Sequence, residues 1–240
     1  MSLPTAALWR LEGAGLPPVE RGYPLAALAK RAALHHAARL TGPDAVPAVL
    51  HGHDGTRDPR QPNAFFLPAD EDGDGRIDHV LIHAAGGLDR AAVAALAACE
   101  RLFDGRQGEW PVRCVWLGMA DAAPCRLAGR AAVWVSATPW FSPLHPKRGL
   151  GPEALLARDL AFRGRPAPAR LERLAATPVT PGSNLPPHAF ATRLESRVTR
   201  PRPDPTGSLW RVAFPEPVQG PLALGWDCHL GLGLFRPEEG

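Results

Sequence analysis

Lysine is nearly absent from this chain: of 27 basic residues, only Lys30 and Lys147 are not arginine. No apolar run approaches the ~20 residues that a membrane-spanning helix needs. The opening Met1-Ser2-Leu3-Pro4-Thr5 lacks the basic and apolar stretches of a secretory signal. These absences predict a cytoplasmic chain with no membrane partner. Cysteine is sparse as well, limited to Cys99, Cys114, Cys125 and Cys228 with no C-x-x-C pair. That spacing excludes a disulfide scaffold, a zinc knuckle and a dithiol redox motif, and it points to free, buried thiols.

What remains is ordinary for a globular protein. The 240 residues are 45% hydrophobic and 21% charged, enough for one large domain or two small ones. A GC-rich genome would give the same arginine excess, alongside 28 Pro and 24 Gly, so by itself the excess does not point to nucleic-acid binding. The net charge of +3 permits an acidic partner without demanding one.

The first half alternates strand and helix signals. Ala6 to Leu11 reads as a strand, Leu25 to Leu40 as a helix with apolar residues on one face, and Thr41-Gly42-Pro43 as its stop. Short strands are predicted at Val46 to Leu50 and Ala64 to Leu67, and a buried one at Ile77 to Ala84. Asp89 caps a helix predicted over Arg90 to Phe103, followed by a strand at Pro111 to Leu117. The order β-α-β-β-α-β is the ferredoxin-like pattern. The second half offers strands at Arg130 to Ala137, Ala189 to Arg197 and Leu209 to Phe214, and a helix at Glu153 to Arg163. Pro166 to Pro187 reads as mostly loop with a possible short helix, and Leu222 to Gly225 is set to pair with Leu230 to Phe235. The expected fold is α+β, with tandem ferredoxin-like (RRM-like, βαββαβ) repeats of which the second is degenerate. The expected domains are 1–120 and 121–240.

Four features carry possible chemistry. The run Asp70-Glu71-Asp72-Gly73-Asp74-Gly75 has the spacing of a calcium loop, but its twelfth position falls on Leu81. A solvated Asp-Gly turn is the simpler reading, and no metal or other cofactor is expected. His51-Gly52-His53-Asp54 begins like a dinuclear hydrolase signature, but Gly55 and Thr56 then stand where ligands are needed. Six of the nine histidines, His35, His36, His51, His53, His79 and His83, fall in the first half. An imidazole titrates near neutrality and can move protons without a metal. Last, the glycine-rich stretch from Gly220 to Phe235 lets a backbone approach a phosphate closely.

Three segments taken together resemble a known family: HGHDGTRDPRQPNAFFLPADEDGDGRIDHVLIH, WVSATPWFSPLHPKRG and FPEPVQGPLALGWDCHLGLGLF. The combination is similar to the repeat-RNA-processing half of the type I-U (I-G) CRISPR-associated fusion protein, a member of the RAMP superfamily. The resemblance implies an endoribonuclease that binds the CRISPR repeat hairpin and cuts it once without metal. The ribose 2′-OH attacks, leaving a 2′,3′-cyclic phosphate. It also implies other type I CRISPR complex subunits as partners, including a backbone-type RAMP half that the family protein carries ahead of this region.

By the same resemblance His53 is the expected general base, with His79 and His36 as the next candidates. Asn63 stands where the family pattern has a second histidine. RNA contacts are implied at His145, Lys147 and Arg148 and along the terminal loop at Gly225, His229, Gly231 and Gly233. The Asn63 replacement leaves open a second reading, a non-catalytic RNA-binding RAMP subunit of a type I interference complex.

Overall fold

The computed structural model describes residues 2–52, 63–105, 108–144, 150–193 and 204–238. It holds two five-stranded antiparallel sheets and a small hairpin.

The first sheet is built from β1 (Ala6–Leu11), β2 (Phe65–Ala69), β3 (His79–His83), β4 (Arg101–Phe103) and β5 (Glu109–Gly118), ordered β2-β3-β1-β5-β4. With α1 (Gly22–Thr41) and α3 (Arg90–Ala97) as crossovers, this is the antiparallel ferredoxin-like order with β4 added at one edge. α1 buries Leu25, Ala26, Leu28, Ala29, Ala33 and Ala37, a stripe of mostly small side chains that lets it lie close to the sheet and to α3. It ends at Gly42, whose φ of 90° suits glycine. The Asp89 carboxylate accepts the Ala92 N–H at 2.8 Å, capping α3 as expected.

Two expectations in this half fail. Val46 to Leu50 is not a strand. Pro47, with no N–H to give a ladder, precedes the single helical turn α2 (Ala48–His51), which buries Leu50 beneath α1. The helix predicted over Arg90 to Phe103 stops at Ala97, because Leu102 turns inward between exposed Arg101 and Phe103. That period of two pairs with β5 instead.

The second sheet comprises β6 (Arg130–Ser136), β7 (Arg170–Leu174), β10 (Leu209–Gln219), β11 (Leu222–Ala223) and β12 (Leu234–Pro237), ordered β11-β12-β6-β10-β7. With α4 (Pro152–Phe162) as first crossover, β6, β7, β10 and β12 repeat the ferredoxin-like order. The second helix is missing, and the glycine-rich segment between β11 and β12 stands in its place. β7 lies inside the segment read as mostly loop, and so does the hairpin of β8 (Thr177–Thr180) and β9 (Ser183–Leu185). Charged Arg170, Glu172 and Arg173 had hidden β7, as they do on edge strands generally. The strand expected from Ala189 to Arg197 is absent through Arg193, where a turn at Pro187–Ala189 leads into buried Phe190. Its remainder lies outside the described residues.

Each unit keeps its helices on the outer face. Trp9, Phe66, Val80 and Ile82 pack under α1 and α3, while Trp134, Trp210, Val212 and Phe235 pack with Leu155, Leu156 and Leu160 of α4. On the opposite face of the first sheet, Ala6, Leu8, Leu67, Ala69 and Leu81 meet Cys125, Leu127 and Ala128 of the connecting segment, with Leu234 from β12. The helix-free side of the first unit is therefore the side that meets the second.

Candidate nucleic-acid interface

Between the units lies a cavity of about 350 Å³. Its walls are Pro68, Ala69, Asp70 and Glu71 from the end of β2, Arg126, Leu127 and Arg130 from the connecting segment and β6, and Thr138, Val179, Leu234 and Arg236 from the second unit. Burial, and then the nearby Arg126 guanidinium, hold Arg236 below its usual pKa, and its guanidinium donates to the Pro178 carbonyl at 3.0 Å. Much of the lining is apolar, and the guanidinium groups of Arg126, Arg130 and Arg236, set against the Asp70 and Glu71 carboxylates, are what the cavity offers an anionic group. These arginines are scattered along the chain, and only the docking of the two sheets collects them.

His79 sits at the start of β3 with Nδ1 3.0 Å from Asp78 Oδ1, its side chain 17% exposed. Burial works against the Asp78 carboxylate. The contacts from His79 and from the Glu71 N–H, which donates to Asp78 at 2.9 Å, nonetheless hold its pKa below the usual range. A carboxylate beside Nδ1 restricts how the imidazole ring can turn.

The described histidines do not converge. His36 lies on α1, across the sheet from His79, so the two cannot serve one reacting group. Burial, then His35 and Arg39, hold the His36 pKa below its ordinary value. His51 ends α2, and Gly52, in the left-handed conformation, packs beneath Asn63. His83, at the other end of β3, is held below its ordinary pKa chiefly by burial. His53 lies outside the described residues, as do His145, Lys147 and Arg148.

The glycine-rich segment is fastened to both units. Leu224 belongs to the second unit's core, whereas Trp226, Leu230 and Leu232 pack into the first unit's helix-side core. Tyr23 of α1 donates to the Asp227 carboxylate at 2.7 Å. Gly225, Gly231 and Gly233 are buried with φ of 84°, 79° and 57°, and protein atoms fill the space a side chain would take. Those atoms are the Phe141 carbonyl and Trp140 ring at Gly225, Pro68 at Gly231, and the Leu224 carbonyl at Gly233. The Gly231 and Gly233 N–H groups donate to Cys228 and Pro139 carbonyls. The close backbone approach that the pattern signals is thus an approach to the chain itself. His229 is half-buried on this segment.

The acidic run is a self-capped turn. Asp70 accepts from the Gly73 and Gly75 N–H groups at 2.8 and 2.9 Å, and Asp74 accepts from the Arg76 N–H at 2.8 Å. The carboxylates of Asp70, Asp72 and Asp74 lie within 4.8 Å of one another. The twelfth position, Leu81, is buried against the connecting segment and offers no ligand. Among the described residues, no helix is long and apolar enough to cross a membrane.

No protein-family model and no curated protein matches the sequence. Among solved structures, the chain is similar to a Cas6 product complex at 17% identity and a TM-score of 0.46, over 99% of this chain and all of that one. It is also similar to a CRISPR-associated Cas6 protein at 14% identity and a TM-score of 0.45, over the whole of both chains. A RAMP protein described as binding different RNA substrates aligns at 13% identity and a TM-score of 0.44, over 99% of this chain and all of that one.

Proposed function

We propose that this chain binds the hairpin of a CRISPR repeat RNA and cleaves it once, without metal, as part of guide-RNA maturation. The observation that carries this reading is the arrangement of two ferredoxin-like sheets around an arginine-rimmed cavity, with a glycine-rich segment in place of the last helix. The three sequence segments that resemble the repeat-RNA-processing RAMP protein accord with it. In the step proposed, a histidine takes the proton of the 2′-hydroxyl beside the scissile phosphate. The 2′ oxygen bonds to phosphorus, the bond to the 5′ oxygen breaks, and that oxygen gains a proton. The products are a 2′,3′-cyclic phosphate and a 5′-hydroxyl, with no atom gained or lost.

The general base is drawn from His53, His79 and His36. His145, Lys147, Arg148 and His229 are proposed to hold RNA, with Gly225, Gly231 and Gly233 shaping the segment that carries His229. Further subunits of a type I CRISPR complex, including a backbone-type RAMP protein, are proposed partners. Recognition by backbone and hairpin shape should show steep salt dependence.

The test is incubation of the whole chain with end-labelled repeat RNA in EDTA. Cleavage to a cyclic phosphate is expected, abolished by a 2′-deoxy substitution at the cut. Tight binding with intact RNA would overturn the nuclease reading and favour a non-catalytic RNA-binding subunit, the reading suggested by Asn63.

A further inference from the structure

Sheet register brings together groups that the sequence keeps far apart. Arg10 of β1 lies directly opposite His79 of β3 on one side and Arg113 of β5 on the other, and His79 in turn lies opposite Ala69 of β2. Directly opposed residues of an antiparallel pair have Cβ atoms roughly 4.5–5.5 Å apart. Side chains alternate along a strand, so Arg10 shares the helix-free face with Ala6 and Leu8, and His79 shares it with Leu81. The connecting segment covers Leu8 and Leu81 but not the end of the sheet, where Arg10 is exposed. Ala69 also lines the cavity between the units, so this row continues the cavity wall.

The charges in the row are unbalanced. Two guanidinium groups directly opposite each other repel. Glu12, 3.3 Å from Arg113, offsets one of them. An anion over Arg10 would offset the other. Beside it stands an imidazole whose Nδ1 meets the Asp78 carboxylate.

We infer that the open end of the first sheet is the cleavage site, with Arg10 holding the scissile phosphate and Asp78 orienting His79 to take the 2′-hydroxyl proton. The inference rests on the RNA-cleavage reading. The proton passes from the 2′ oxygen to His79 Nε2, the 2′ oxygen bonds to phosphorus, and the departing 5′ oxygen takes a proton from a water whose hydroxide then receives the one on His79. Arg10 and His79 are catalytic residues in this account, and Asp78 is a positioning residue.

Single-turnover cleavage at saturating protein, paired with binding measured across salt concentration, tests it. Arg10→Ala should slow cleavage by about 100-fold or more, the usual loss when a group facing developing charge is removed. It should also reduce the salt slope of binding by roughly 0.7–0.9, one phosphate contact. Arg10→Lys should recover part of both. His79→Ala should slow cleavage by about 100-fold or more. Asp78→Asn should slow it less and leave affinity unchanged, a split that a folding defect would not produce. If the intact chain cuts and Arg10→Ala and His79→Ala cut at its rate, the assignment is overturned while the nuclease reading stands. If the intact chain leaves RNA whole, the nuclease reading itself fails. The Arg10→Ala salt slope then decides the phosphate contact alone, and an unchanged slope overturns it.

Discussion

The two units share one strand order and differ in a single layer. The first keeps both crossover helices, α1 and α3, over its sheet. Among the described residues the second keeps only α4, and residues 224–233 occupy the place of the other. A helix there would complete the second unit's own core and leave the units to meet along one face. The irregular segment instead divides its side chains, with Leu224 in one core and Trp226, Leu230 and Leu232 in the other. Losing a helix in one unit is what ties it to its neighbour. The glycines follow from that, because a segment threaded between two packed bodies has no room for Cβ atoms at its tightest points.

The sharpest way to break this comparison is a pair of glycine substitutions, one in each unit. Gly233→Ala places a Cβ 2.0 Å from the Leu224 carbonyl at a φ of 57°. Left-handed strain of roughly 1–2 kcal/mol and overpacking of about 1–3 should together lower stability by about 2–5 kcal/mol in denaturant unfolding. Gly42→Ala in the first unit meets nothing within 4 Å, so only the backbone strain of a side chain at φ 90° and ψ 154° applies, about 1–3 kcal/mol. Equal losses would mean that the segment is not tightly held. Removing the cap of the helix that only the first unit retains, by Asp89→Ala, should lower stability by about 1 kcal/mol. It should also release protection of the first α3 amides in hydrogen exchange while leaving residues 224–233 unaffected. Tyr23→Phe, which removes the hydrogen bond from α1 to Asp227, should lose about 0.5–1.5 kcal/mol and loosen the segment in the same experiment.

The smallest effect is a pH dependence in the first unit. Burial lowers the His83 pKa below its ordinary 6.5, so the unfolded chain binds the proton more readily. The stability this contributes is complete above 6.5 and is lost as pH falls through the lower folded value. Urea midpoints measured downward from neutrality should decline, and His83→Gln should flatten that decline.

The helices and most inner strands were legible in the sequence because their apolar period is strong and their stops are explicit, as at Asp89 and at Gly42-Pro43. β7 was not, since an edge strand is free to carry Arg170, Glu172 and Arg173. The turn at Ala48–His51 was missed because five apolar-rich residues satisfy a short strand and a helical turn equally. The glycine pattern was visible, but its job was not: Pro68, Phe141 and Leu224 fill the space at its glycines, and those neighbours are set by tertiary packing. Histidine number suggested one cluster, but strand parity and helix placement put His36 and His79 on opposite sides of the sheet. Arg10 carried no sequence signal at all, because it becomes a neighbour of His79 only through register.

The central claim is that RNA chemistry takes place on the helix-free face of the first sheet, and crosslinking from each face tests it most directly. A photoreactive residue at position 113, where the arginine side chain is 72% exposed on β5, probes that face. One at position 40, where leucine is 55% exposed near the end of α1, probes the helix side close to His36. The account predicts crosslinks from position 113 to the nucleotides flanking the cut and none to them from position 40. Crosslinks to those nucleotides from position 40 alone would contradict it.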